Sequence, residues 1–125
     1  MSSSTAPIER PRISACIITF NEADRIADCL ASLDFCDEWI VVDSFSSDDT
    51  VAIAQAAGAR VLQRAFTGFR NQKDFAVGQA SCDWVLCLDA DERISPALRQ
   101  AILAARDAGF AGHAGYRFAR LSEYF

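Results

Sequence analysis

Apolar, β-branched runs alternate along this chain with segments whose apolar residues recur at helical spacing. ISACIITF (13–20) is a continuous apolar run broken only by Ser14 and Thr19, the pattern of a strand buried on both faces. ADRIADCLASL (23–33) puts Ile26, Cys29, Leu30 and Leu33 on one helical face. EWIVVD (38–43) predicts a second short buried strand. SSDDTVAIAQAAG (46–58) predicts a helix capped by Ser47, with Asp48 and Asp49 at its positive N-terminal end and Gly58 ending it. ARVLQR (59–64) predicts a third strand, AFTGFR (65–70) a loop, NQKDFAVGQA (71–80) a short helix capped by Asn71, and DWVLCLD (83–89) a fourth strand. Ser95 then caps a helix with Pro96 at its first position, running to Asp107 before Gly109. YRFARL (116–121) alternates and predicts a fifth, more exposed strand.

This alternation predicts an α/β fold: an open, mostly parallel sheet with helices on both faces. The 125 residues fit one domain, 13–125, preceded by a loose polar leader, 1–12. Ligands of such sheets sit beyond the carboxyl ends of the strands. There the chain has polar residues that a core does not need: Thr19, Asn21 and Glu22 after the first strand, Asp43, Ser44, Ser46 and Ser47 after the second, and Asp89, Asp91 and Glu92 after the fourth.

The last group is the most demanding. VLCLDADE (85–92) ends a buried run in a cluster of carboxylates, and burying unpaired like charges is costly. Lys73 and Arg93 can offset part of that charge. A divalent cation would do it better, since hard cations take oxygen ligands and magnesium or manganese draws the remainder from water and phosphates. In an extended D-x-D both side chains can point the same way, so Asp89 and Asp91 could share a site, one on the metal and the other on a ribose. The competing reading is a solvated acidic turn in which Asp91 or Glu92 caps the next segment. For Asp43 two readings stand side by side: a hydrogen bond to a base or ribose, or satisfaction of the SFSSDD turn. Asn21 and Glu22 have helix capping as their alternative, and Lys73 could pair with a phosphate or be solvated.

Charge and composition narrow the classes. The net charge is −5 with both signs interspersed, which excludes the basic stripe of a nucleic-acid surface but not a nucleotide held with a metal. No apolar run reaches the ~20 residues of a membrane span, and the leader has no signal-peptide segment. The cysteines, Cys16, Cys29, Cys36, Cys82 and Cys87, are odd in number and form no CxxC pair. They read as small buried hydrophobes in a reducing cytoplasm rather than as disulfides or a zinc site.

In this order, IITFNEADRI, WIVVDSFSSDDT, FTGFRNQKDFAVGQA and VLCLDADE resemble the family 2 glycosyltransferases of the Rossmann-like GT-A fold. Those enzymes often show a strand followed by T-x-N-E, then V-D-x-x-S-x-D-x-T, a basic helix, and L-D-A-D-E. The likeness runs from about Ile13 to Ile94, and DSFSSDDT and FTGFRNQKDFA look closest to a bacterial subgroup adding glucose or a heptose-related sugar to the lipopolysaccharide inner core. The resemblance implies that Thr19, Asn21 and Glu22 line a nucleotide pocket and that Asp43 holds the base or ribose. Lys73 and Arg70 would lie near the base or diphosphate. Asp89 and Asp91 would be the DxD pair, with Asp91 the direct metal ligand. It implies inverting transfer from a nucleotide-diphosphate sugar, UDP-linked, to a glycan or lipid-linked acceptor, assisted by magnesium or manganese. The expected setting is cytoplasmic; a lipid-linked acceptor would bring the protein to the inner face of the membrane, although the sequence shows no amphipathic basic helix.

The chain departs from that pattern at its end. The family's general base lies well downstream of DxD, and Glu123 is the only carboxylate after Asp107, with no matching motif around it. No catalytic base is assigned. The expectation is a donor-binding half, truncated before the acceptor half. The alternatives are a non-catalytic nucleotide-sugar-binding fragment and, behind it, a receiver-like signalling domain. A receiver needs an acidic pair, an aspartate and a lysine where this chain has Asn21-Glu22, Gln63-Arg64 and no lysine. A nucleotidyltransferase would need a Gly-rich basic loop where NEADRI stands.

Overall fold

β1 (Ile13–Thr19) is buried at every position, as its unbroken run requires of a central strand. The computed structural model describes residues 11–109 and 119–120. β1 is flanked on one side by β2 (Glu38–Asp43) and then β3 (Arg60–Gln63), and on the other by β4 (Trp84–Asp89) and the short β5 (Ala119–Arg120). All pairings are parallel, with Ile17 opposite Val41 on one side and Leu88 on the other. The helices are α1 (Ile26–Ala31), α2 (Thr50–Ala56), α3 (Phe69–Gly78) and α4 (Pro96–Asp107).

The strand period of two sorts side chains to the two faces. Ile13, Ala15 and Ile17 join one core with Ile26 and Leu30 of α1, Ala54 of α2 and Ile102 of α4. Cys16, Ile18, Ile40, Val42 and Val85 form a second core against Ala76 of α3. Helices therefore cover both faces, as the alternating pattern predicts.

Several boundaries differ from the sequence expectation, each for a local reason. β1 stops at Thr19 because Asn21 turns the chain with φ of 52°, leaving Phe20 outside the core at 58% exposure. The following helix begins at Ile26, after a turn in which the Arg25 and Ile26 N–H groups share the Glu22 carbonyl. Ser47 caps nothing: its N–H donates to Asn21 Oδ1 at 2.8 Å, and α2 starts only at Thr50. Instead, Asp48 Oδ1 accepts from the Thr50 N–H at 3.0 Å and from the Thr50 hydroxyl. α3 begins at Phe69, not Asn71, because Gly68 at φ of 126° makes the break in a conformation side-chain-bearing residues avoid. Ser95 does cap α4, its hydroxyl oxygen accepting from the Leu98 N–H at 3.1 Å, with Pro96 behind it. The leader before Pro11, most of YRFARL and Glu123 lie outside the described residues.

The cysteines are free; Cys16, Cys29 and Cys82 are buried and the other two half-buried. Burial, reinforced by the nearby acids, pushes the Cys29 thiol up to about 12, which suits inert packing rather than ligation.

At the amino edge of the sheet Glu38 ties three segments together. Its Oε2 accepts from Ser14 Oγ at 2.5 Å, the Ser81 N–H at 2.7 Å and Ser81 Oγ at 2.8 Å. Burial pushes its pKa up, but these hydrogen bonds and Arg60 together outweigh burial and hold it below the ordinary glutamate value. A depressed carboxylate contributes stability that is complete above its unfolded pKa and disappears as pH falls through its folded pKa. Glu38→Gln is therefore expected to flatten the fall in stability below about pH 4, read as urea midpoints from pH 7 to 3. Parallel pH profiles for the two proteins would contradict this.

Candidate functional site

The strand order reverses at β1: the chain winds outward to β2 and β3, then returns to the other side of β1 as β4. At such a switch point the loops leaving neighbouring strands diverge and a crevice opens. A cleft of about 270 Å³ lies there. Thr19, Phe20 and Glu22 line it from the end of β1, Ser44 from β2, and Asp89, Ala90 and Asp91 from β4. Phe66, Phe69 and Gln72 close the side towards α3.

The acids that end β4 have separated into distinct roles. Glu92 closes the turn, its Oε1 accepting from the Asp89 N–H at 2.8 Å while its own N–H donates to the Asp89 carbonyl at 2.9 Å. Asp89 Oδ1 lies 3.4 Å from Lys73 Nζ, an ion pair without hydrogen-bond geometry, so this buried oxygen has no hydrogen-bond partner among the described residues. Asp91 is exposed and makes no hydrogen bond or ion pair to a described residue. Across the cleft, Glu22 Oε1 pairs with Arg25 at 3.2 Å while Oε2 is buried without a hydrogen-bond partner among the described residues.

The structure thus brings Thr19, Glu22, Asp89 and Asp91 to one cleft, with Lys73 reaching it through Asp89. Asp43, Asn21, Arg70 and Arg93, also singled out by sequence, do not line it. Asp43 is fully buried beneath the loops. Its Oδ1 accepts from the Thr19 hydroxyl at 2.7 Å and the Ser46 hydroxyl at 2.6 Å, and its Oδ2 from the Ser46 N–H at 2.8 Å. This is the turn-satisfying arrangement, and it also aims Thr19. The Asn21 carboxamide holds the loop after β2, accepting from the Ser47 N–H and hydroxyl. The Arg70 side chain is 91% exposed and leans towards Asp74 at 3.9 Å. Arg93 pairs with Asp28, away from the DxD acids.

Sequence reasoning missed Gln72 and the aromatic rim of Phe20, Phe66 and Phe69. Gln72 had a detectable signal: it sits four residues before Ala76 on the inward face of α3, a polar residue at a core position. The phenylalanines had none, because an aromatic in a loop does not show whether it lines a cleft.

The cleft carboxylates offer only oxygen donors, the type hard divalent cations take. Among the described residues no cluster of three or more His, Cys, Asp or Glu could hold an ion unaided.

A parallel α/β domain with a carboxylate-lined cleft at its switch point belongs to the open α/β architectures whose ligands lie beyond the carboxyl ends of the strands. The particular family emerges from comparison: residues 14–124 match the model for glycosyl transferase family 2, and the chain belongs to that family. An uncharacterized glycosyltransferase of Rickettsia felis is 50% identical over 92 residues, covering 73% of this chain and 32% of the relative. The lipopolysaccharide core biosynthesis glycosyltransferase LpsC of Rhizobium meliloti is 41% identical over 103 residues, covering 76% and 38%. Glucosyl-3-phosphoglycerate synthase from Mycobacterium tuberculosis, solved with Mn²⁺, UDP-glucose and phosphoglyceric acid, superposes with a TM-score of 0.63 at 26% identity, covering 79% of this chain and 40% of that one. The chain therefore spans between about a third and two fifths of the length of these relatives. Among the described residues no helix is long and apolar enough to cross a membrane.

Proposed function

We propose that this chain is the donor-binding part of an inverting glycosyltransferase that takes its sugar from a UDP-sugar with the help of a divalent cation. The observation that carries this reading is the pairing state of the cleft acids. Among the described residues Asp91 is open, and one oxygen each of Glu22 and Asp89 is buried without a hydrogen bond. An arrangement that costs stability in isolation is explained if those oxygens face a cation–diphosphate group. The M. tuberculosis enzyme, crystallised with Mn²⁺ and UDP-glucose, supports the same ligand pair. The β2 and β4 ends lie two strand spacings apart, roughly 10 Å, a fitting span for a nucleoside diphosphate with its base towards Ser44 and its phosphates towards Asp91.

In this reading Asp91 and Asp89 hold the cation, which when bound offsets the charge developing on the departing diphosphate. Lys73 stays close enough to share the charge of Asp89 and the diphosphate. Asp43 keeps the Thr19 hydroxyl oriented at the cleft wall. The acceptor is a glycan or glycolipid of the lipopolysaccharide-core kind, an assignment supported by the likeness to LpsC; a lipid-linked acceptor would bring the enzyme to the inner face of the membrane. No described residue is assigned as the general base.

The test is a calorimetric titration of UDP and UDP-glucose into the chain with Mn²⁺ and again with EDTA. Binding that needs the metal is the expected result. Binding of equal strength in EDTA, or none in either buffer, would sink the proposal.

A further inference from the structure

We infer that Gln72 is a positioning residue that fixes the polarity of the Ser44 hydroxyl, and through it the preference of the cleft for a keto over an amino pyrimidine. The inference rests on the donor-binding reading above and adds the device that chooses the base.

Gln72 is fully buried although it borders the cleft. Its Nε2 donates to the Arg64 carbonyl at 3.2 Å, and its Oε1 accepts from Arg64 Nη1 at 3.3 Å. A carbonyl cannot donate and a guanidinium cannot accept, so these two contacts with one residue leave the amide a single orientation. Arg64 is itself held: its guanidinium lies 4.7 Å from the Phe75 ring centroid, and its N–H donates to the Asp43 carbonyl at 2.9 Å. Fixed in this way, Gln72 must present N–H to Ser44, and Nε2 donates to Ser44 Oγ at 2.9 Å.

Ser44 therefore accepts from Gln72, and its own hydrogen has to point elsewhere. No described residue accepts it, and Ser44 lines the cleft. The O–H is a donor offered to whatever fills the β2 end of the cleft, where Phe66 and Phe69 supply an apolar wall. A ring carbonyl at that point satisfies the hydrogen. An exocyclic amino group does not, and sets donor against donor, which forfeits about the worth of one hydrogen bond. Uracil and cytosine differ by this exchange at C4, and with it by N–H against a bare nitrogen at N3.

The experiment compares UDP with CDP, both with Mn²⁺, by calorimetry on the wild-type chain, Gln72→Glu and Ser44→Ala. Wild type is expected to favour UDP by about threefold to tenfold, the worth of one such hydrogen bond. Gln72→Glu keeps the shape and the Arg64 guanidinium contact, gives up the donation to the Arg64 carbonyl, and turns the group facing Ser44 into an acceptor. The serine hydrogen then swings inward, lone pairs face the cleft, and the preference moves towards CDP. Ser44→Ala should bring the two affinities to within about twofold. Simple loss of packing would weaken both nucleotides alike, so the ratio separates positioning from structure. A UDP-to-CDP ratio unchanged in Ser44→Ala would overturn the inference, and that variant decides alone if Gln72→Glu fails to fold. A wild type that binds neither nucleotide overturns the donor-binding reading and this inference with it. A wild type that binds UDP without preference over CDP overturns only the inference.

Discussion

Replacing Asp43 by alanine is expected to lower the unfolding free energy by about 3–5 kcal/mol, since three hydrogen bonds to a charged acceptor are lost, leaving the Thr19 hydroxyl buried and the Ser46 donors half-buried. The carboxylate is wholly enclosed and accepts from Thr19 Oγ1, Ser46 Oγ and the Ser46 N–H. It thereby joins the end of β1 to the end of β2, and its own carbonyl takes the Arg64 N–H that begins the loop after β3. Against a typical total of about 5–15 kcal/mol, this loss is a large share of the domain's stability. Asp43→Asn is the informative contrast. Its oxygen can keep the Ser46 N–H while its amide turns to the two hydroxyls, both able to accept, so the cost should be only about 1 kcal/mol. Urea denaturation followed by circular dichroism measures both. An alanine variant within about 1 kcal/mol of wild type would show that the enclosed carboxylate is not what holds these loops.

The same residue shows where a sequence reading ends. That a carboxylate stands at the end of β2 was legible from EWIVVD. Whether it faces a ligand or its own turn depends on which donors fold over it, and Ser46 reaches it only because Phe45 takes a left-handed backbone, φ 55°. Non-glycine residues rarely adopt that conformation, and nothing in the local pattern announces it. Periodicity, by contrast, is set by long-range burial acting on every second or every third and fourth residue. The order of elements, the parallel sheet and the two-sided core were therefore readable, and so was the family to which the motifs pointed. The α4 cap was readable too, because Ser95 and Pro96 act within one turn. Ser47, Asn71 and Asn21 carried the same kind of local signal and do something else. In two of them the side chain meets a residue distant in sequence: Ser47 and Asn21 bond one another across two loops. The third, Asn71, turns back to the Thr67 carbonyl within a helix already begun by Gly68.

For the β4 acids, the sequence showed the crowding but not its resolution. Like charges here are not left to repel: Glu92 is engaged by the turn and Asp89 is offset by Lys73. The exposed carboxylate that remains, Asp91, makes no hydrogen bond or ion pair among the described residues. Asp91→Ala is accordingly expected to unfold at the same urea midpoint as wild type, within about 0.5 kcal/mol. Its effect should fall on binding. Removing groups that merely orient a metal ligand already costs about 10–100-fold in affinity, so losing a direct ligand should weaken Mn²⁺-dependent UDP binding by about 100-fold or more. The residual affinity measured in EDTA should not change, because the base and ribose contacts are untouched. Asp89→Ala should differ in kind, since it also strands the Lys73 ammonium beside the cleft and is expected to cost stability as well as affinity. If Asp91→Ala binds Mn²⁺ and UDP as tightly as wild type, the free carboxylate at the mouth of the cleft is only a solvated turn residue, and the cation must be held by other groups.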